Sequence, residues 1–430
     1  MAKIWLRDIK DHLNQEVWLK GWVFNKRGSK KIQFIELRDG TMVVQGIVTI
    51  NDSNQETWDV CSELTQESSI EIRAQVVEHP KSVSGCELII KEIKVIQIAV
   101  DFPITKKEHG PDFLLKRRHL WLRSRLQRSI MHVRSQIIKA LHNFFHEKNY
   151  THMDSPILTG TIGEEGSTLF STEYFDKGNA YLAQTGQLYL EASCAALGKV
   201  YCFGPTFRAE KSKTRRHLTE FWMLEAEVAF NNNEDNMDLQ EEMFKYVVQH
   251  VIDTCPLQLK SLGRKVEDLQ KFIQPFAKLS YDDAVDRLHE KGSKIVRGKD
   301  LGAEDEVMLT QDYEMPVFIY NYPKSCKAFY MKKDPNNSER VLCSDLLVPG
   351  YGEVIGASQR EDDLETLTQN IIDFGLNPES FDWYLDLRKY GTFEHSGFGI
   401  GLERTVSVIT GVKHIRETIP FPRMMTHIEP

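Results

Sequence analysis

Residues 202–230 read CFGPTFRAEKSKTRRHLTEFWMLEAEVAF, two β-rich runs joined by a loop that carries Lys211, Lys213, Arg215, Arg216 and His217. Side chains alternate across a strand. In the second run Phe221, Met223, Glu225 and Glu227 therefore share one face, and Trp222, Leu224, Ala226 and Val228 share the other. The second set is a core face. The first places two carboxylates mid-strand, and on the first run Arg208 and Glu210 point together. Charges set inside a sheet are costly unless they are partnered or used. A solvated face is the ordinary explanation, but Phe221 and Met223 beside the charges weaken it. A ring that can stack on a base, with cations that can meet phosphates, suits a purine nucleoside triphosphate. Strand, long loop and strand, with no βαβ alternation around them, predict an antiparallel sheet flanked by helices, an α+β arrangement.

Two stretches downstream fit the same sheet. In Ser396–Arg404, SGFGIGLER, glycines fall at 397, 399 and 401. Period two strips side chains from one face of a strand and leaves a bare strip for a flat ligand. It is not the G-x-G-x-x-G of dinucleotide folds. Arg404 then falls where strand gives way to an apolar helix. Asp345 and Glu353 flank the turn Val348-Pro349-Gly350-Tyr351-Gly352, so they can sit on adjacent antiparallel strands. Two facing carboxylates repel unless a cation bridges them, and Mg²⁺ held with nucleotide phosphates is the usual solution. Arg360 follows on the second strand.

Upstream, Val17–Val48 alternates like half-buried strands with an Asp39-Gly40 hairpin turn. Ser69–Val77 and Glu87–Val95 add strands, so residues 1–100 predict a five-stranded barrel of the OB type. Residues 101–129, with Pro103, Gly110 and Pro111, read as a hinge. Ile130, Val133, Ile137, Leu141 and Phe144 mark one face of a long helix that opens a domain spanning 130–430. Residues 253–312 read as a helical insertion. Acidic residues outnumber basic ones, 62 to 54, for a net charge of −8, which argues against a protein that coats nucleic acid by bulk charge. Seven cysteines without a C-x-x-C pair suggest neither a zinc site nor a disulfide framework. No signal-like or membrane-length apolar run is present, so a cytoplasmic protein without a membrane partner is expected.

Pro156 after the long helix, Phe207-Arg208-Ala209-Glu210 through Glu227, and Gly397 through Arg404 resemble motifs 1, 2 and 3 of class II aminoacyl-tRNA synthetases. The barrel ahead of them resembles the aspartyl, asparaginyl and lysyl subgroup, and the resemblance covers nearly the whole chain. It points to the asparaginyl branch, of bacterial type. By that resemblance the reaction is ATP-dependent ligation of L-asparagine to tRNA(Asn) through an asparaginyl-adenylate, with Mg²⁺ as cofactor and a homodimer as the assembly. Arg208 would bind the α-phosphate and Arg404 the γ-phosphate, with Glu210 beside them as the third catalytic group. Phe221 would stack on adenine, His217 would assist at the phosphates, and Gly401 and Glu353 would complete the ATP site. Asp345 and Glu353 match the metal ligands. Glu164, Gln184, Gln187, Glu225 and Arg360 match amino-acid-binding positions, and Arg27, Phe34 and Gln45 match the anticodon face, where exposed rings stack on bases.

Aspartyl relatives carry a lysine where Gln184-Thr185-Gly186-Gln187-Leu188-Tyr189-Leu190-Glu191 has Leu190. Without it Arg360 is expected to face Glu225, the arginine donating to an amide oxygen and the acid accepting from an amide nitrogen. Bound aspartate would instead meet Glu225 charge to charge. One loop departs from the family pattern: Glu164-Glu165-Gly166-Ser167-Thr168 aligns Glu164 with the residue that reaches the substrate amino group, or Glu165 if a gap is allowed. Two alternatives stay open, an aspartyl enzyme, including one that charges both tRNAs, and a paralogue that makes free asparagine.

Overall fold

A computed structural model of the chain describes residues 4–50, 53–160, 169–212 and 214–430. It divides into two compact units, Met1–Gly110 and Pro111–Pro430.

In the first unit β1 (Glu16–Gly28), β2 (Ile32–Arg38), β3 (Val43–Thr49), β4 (Ser69–Glu78) and β5 (Cys86–Gln97) close into a barrel in the order β1-β2-β3-β5-β4. The expected five-stranded barrel is what forms. Its interior is the inward half of each alternation, with Ile35, Leu37, Val44, Val48, Ile70, Ile72, Leu88 and Ile90 all buried. Gly46 closes the ring: a Cβ there would stand 2.5 Å from Ile90 Cδ1, at the place where β3 pairs in parallel with β5. At the hairpin turn Asp39 accepts from the Thr41 amide at 2.8 Å, and Gly40 supplies the positive φ of 97°.

The second unit holds β6 (Thr151–His152), β7 (Leu158–Thr159), β8 (Ser171–Glu173), β9 (Asn179–Leu182), β10 (Lys199–Phe207), β11 (Glu220–Ala229), β12 (Ala277–Ser280), β13 (Val317–Tyr320), β14 (Lys333–Asp334), β15 (Asn337–Val341), β16 (Cys343–Val348), β17 (Gly352–Gln359) and β18 (His395–Gly401). Eight of them form one sheet in the order β12-β13-β16-β17-β18-β11-β10-β6. Its centre is antiparallel, with parallel pairs at the two edges. The helix Arg125–Glu147 starts at a Ser124 cap and buries the predicted stripe of Ile130, Val133, Ile137, Leu141 and Phe144. That stripe and the helix Asn233–Thr254 pack on Leu224, Ala226 and Val228 of β11 and on Phe398 and Ile400 of β18. Helices therefore cover one face of the sheet, and the charged face of β11 is left for chemistry.

Two segments differ from their sequence reading. Residues 101–129, read as a hinge, contain the helices Pro111–Leu115 and Arg118–Trp121. The fully buried Arg118 donates through Nε and Nη2 to the carbonyls of Pro420 and Ile419, each at 2.7 Å. Residues 253–312, read as a helical insertion, contain β12, which pairs with β13 and forms an edge of the main sheet. Four residues are too few to show an alternation. Among the described residues no helix is long and apolar enough to cross a membrane. All seven cysteines are free thiols.

Candidate active site

Strand register puts the motif residues together. β11 pairs with β18 so that Met223 faces Gly401, Glu225 faces Gly399 and Glu227 faces Gly397. The predicted bare strip thus lies level with the predicted charged face. A Cβ on Gly397 would come within 2.2 Å of Glu227 Oε1, and one on Gly399 within 3.2 Å of Met223 Sδ, while at Gly401 the space is open.

Over that open end lies a cavity lined by Arg208, Glu210, Arg216, His217, Phe221, Met223, Glu353, Gly401 and Arg404. Every residue expected at the nucleotide lines it. The Arg208 guanidinium lies 5.5 Å from the centre of the Phe221 ring. One correction concerns position: β10 stops at Phe207, so Arg208 and Glu210 lie just past the strand, where the Arg208 amide donates to Thr219 O at 3.0 Å. The His217 ring sits between Glu210, 3.7 Å from Nε2, and Ser212, 3.1 Å from Nδ1. Burial, and after it the charge of Arg404, push its titration below the ordinary imidazole value, so the ring is neutral at neutral pH. Arg404 donates through Nη1 to the Glu353 carbonyl at 2.7 Å and to its carboxylate at 3.1 Å. Glu403 turns the other way, accepting from the Trp222 amide at 3.0 Å and pairing with Arg134 at 2.7 Å, and so ties the long helix to the strand end.

Asp345 lies opposite Gly356, three residues beyond Glu353. A Cβ on Gly356 would stand 3.1 Å from Glu353 Oε1 and 3.9 Å from Asp345 Oδ1, so both carboxylates lean over the missing side chain. Burial raises Asp345 to about 6, opposed by Lys327 at 2.7 Å and reinforced by Glu353. Against the upward push of burial, Arg404 and then Lys327 hold Glu353 below the ordinary carboxylate value. Two oxygen ligands converging over a glycine fit a hard divalent cation whose remaining ligands come from phosphates and water.

An adjoining cavity shares Arg208, Met223, Glu353 and Gly399 and adds Thr185, Gln187, Glu225, Lys327, Tyr330 and Arg360. Glu225 accepts from the Gly186 amide at 2.6 Å and from the Thr185 hydroxyl. Arg360 faces the same cavity, but its partner is Glu227 rather than Glu225. The guanidinium forks onto Glu227, with Nε 3.2 Å from Oε2 and Nη2 on Oε1, and Nη1 donates to Ser358 Oγ at 2.7 Å. Register is the reason: Ser358 pairs with Gly397, Gly397 pairs with Glu227, and the bare glycine lets the arginine cross. Burial lifts Glu227 to about 7 against the pull of Arg360.

Behind this wall is a network that the sequence did not announce. Fully buried Glu191 accepts from Arg388 Nη2 at 2.7 Å, Tyr384 Oη at 2.8 Å, His395 Nε2 at 2.9 Å and Gln187 Nε2 at 3.1 Å. Only the spacing of Gln187 and Glu191 on one helix was visible; the other partners lie some two hundred positions away in the chain. Gln184 is buried but does not line the cavity. Leu190 packs with Cys194, Val200 and Cys202 behind the pocket. Glu164 and Glu165 lie outside the described residues.

On the barrel Arg27, Phe34 and Gln45 meet on the outward face of β1–β3. The Arg27 guanidinium lies 5.3 Å from the Phe34 ring centre and its Nη2 donates to Gln45 Oε1 at 3.0 Å.

The family profile described as "tRNA synthetases class II (D, K and N)" matches residues 110–425, and the profile of an OB-fold nucleic acid binding domain matches residues 17–96. The chain belongs to the class II tRNA synthetases. Solved structures similar to this synthetase include the asparaginyl-tRNA synthetase of Pyrococcus horikoshii complexed with asparaginyl-adenylate, 40% identical over 100% of both chains with a TM-score of 0.96. The asparaginyl-tRNA synthetase of Entamoeba histolytica, also complexed with asparaginyl-adenylate, is 31% identical over 97% of both chains with a TM-score of 0.89. An aspartyl-tRNA synthetase of Entamoeba histolytica shares the fold at 24% identity and a TM-score of 0.83, covering 100% of this chain and 93% of its own. These asparaginyl relatives come from an archaeon and a protist, so the bacterial-type expectation is not carried forward.

Proposed function

We propose that this synthetase ligates L-asparagine to tRNA(Asn) through an asparaginyl-adenylate. The observation that carries the choice of amino acid is how the pocket's charges pair off. Arg360 is neutralised by Glu227, Lys327 by Asp345, and the acid Glu225 remains turned toward the substrate. With Arg208 committed to the α-phosphate in this reading, a second carboxylate would meet Glu225 with no further cation among the described lining residues to balance it, while a carboxamide can donate to Glu225 and accept from the outer edge of Arg360. The same wall disfavours the aspartyl alternative. A complete barrel carrying Arg27, Phe34 and Gln45 disfavours a paralogue that makes free asparagine.

The amino-acid carboxylate attacks the α-phosphorus, the bond to the bridging oxygen breaks and pyrophosphate leaves, so the protein's work is positioning and charge neutralisation. Arg208 holds the α-phosphate with Glu210 beside it, Phe221 stacks on adenine, and Arg404 with His217 meets the far end of the triphosphate. Asp345 and Glu353 would hold Mg²⁺, which supplies charge neutralisation on the phosphates. Gln187, fixed by Glu191, lines the amino-acid side. The enzyme acts in the cytoplasm as a homodimer, the assembly that motif 1 serves in this class. Pyrophosphate exchange measured with each amino acid tests the reading: asparagine should drive it, and exchange driven by aspartate in its place overturns it.

A further inference from the structure

Beyond the nucleotide cavity lies a second hollow of about 480 Å³, inside the range of small-molecule sites. Arg215, Arg216, Arg404 and Lys413 line it, and among the described residues no carboxylate does. It adjoins the nucleotide cavity, since Arg216, Arg404 and Ile415 line both. Arg216 is paired with Glu306 at 3.0 Å and Arg404 with Glu353 at 3.1 Å. Arg215 and Lys413 have no ion pair among the described residues and do not line the nucleotide cavity.

The helix Leu402–Thr410 ends beside this hollow, and the carbonyls at a helix C-terminus would ordinarily repel an anion. Here they are covered: Arg264 donates through Nε to Ile409 O at 3.3 Å and through Nη2 to Val408 O at 3.2 Å. In the neighbouring His414 burial first, and then Arg416 and Arg215, push the ring down to about 4.

We propose that this hollow is a pyrophosphate pocket, which receives the leaving group after adenylate formation and hands it to solvent. The identity of its ligand rests on the synthetase reading above. Its location past Arg404, where the far end of a triphosphate would lie, favours a diphosphate over an RNA backbone. Two unpaired cations at the outer wall, with two arginines shared at the inner one, draw a polyanion outward once its bond to the nucleotide is cut.

The test titrates magnesium pyrophosphate into the intact enzyme by calorimetry, without amino acid, and measures the KM for pyrophosphate and for ATP in exchange. Wild type is compared with Arg215→Ala, Lys413→Ala and the double variant, and unchanged Tm verifies folding. The double variant should bind pyrophosphate at least tenfold more weakly and raise its KM in parallel, with the KM for ATP altered less than twofold. Unchanged pyrophosphate binding overturns the proposal, as does an equal loss for ATP, or a rise confined to the KM for tRNA. Because the titration needs no amino acid, an error in the asparagine assignment would leave its result standing.

Discussion

Glu225 is fixed by the Gly186 amide and the Thr185 hydroxyl, so its carboxylate cannot swing away from a badly charged substrate. Glu225→Gln removes the repulsion. The ratio of asparagine to aspartate kcat/KM in pyrophosphate exchange should fall by roughly 10- to 100-fold, the scale of one buried polar mismatch, and an unchanged ratio would show that discrimination lies elsewhere. His414 gives a pH dependence whose sign is fixed. Its folded value of about 4 lies below the unfolded value near 6.5, so the unfolded chain binds more protons between the two. Stability is therefore lost as pH falls from about 6.5 to about 4. His414→Gln should recover about 1–2 kcal/mol of that loss, the linkage being discounted because the ring is half exposed. Thermal unfolding of both proteins at pH 7.5 and pH 4.5 reads it out.

At the scale of the element, β18 serves two purposes with glycines that look alike in the sequence. A Cβ at Gly397 would meet the Ala226 carbonyl at 2.3 Å as well as Glu227, and a backbone atom cannot step aside. Gly397→Ala should cost about 1–3 kcal/mol in urea unfolding. Gly401 has open space, so Gly401→Ala should leave the urea midpoint near wild type and raise the KM for ATP, since the new methyl projects into the nucleotide cavity. If both variants unfold alike, the strip is only packing. Alternation in β11 was legible because one face is wholly apolar while the other carries two carboxylates; burial by itself does not separate them, since Met223, Glu225 and Glu227 are buried along with Leu224, Ala226 and Val228. β12 escaped because a four-residue edge strand has no period to display.

At the scale of the whole molecule, the barrel and the catalytic unit are compact bodies with separate cores. Phe34→Ala should therefore leave amino-acid-dependent exchange at the wild-type rate and lower kcat/KM for tRNA by roughly 5- to 150-fold, the worth of one base stacked on one ring. Equal losses in both assays would mean that the ring serves folding.

What the sequence determined by itself is local: the barrel's alternation, the stripe of the helix Arg125–Glu147, the charged face of β11, the bare strip of β18, and the motif spacing that marks the family. Periods of two and 3.6 are set by backbone geometry, so they can be read without the fold. Tertiary structure alone decided which carboxylate answers Arg360, that Glu191 gathers Arg388, Tyr384 and His395, and that Arg215 lines a different hollow from Arg208. Those outcomes depend on strand register and on contacts across some two hundred residues, where a shift of one position would change every partner.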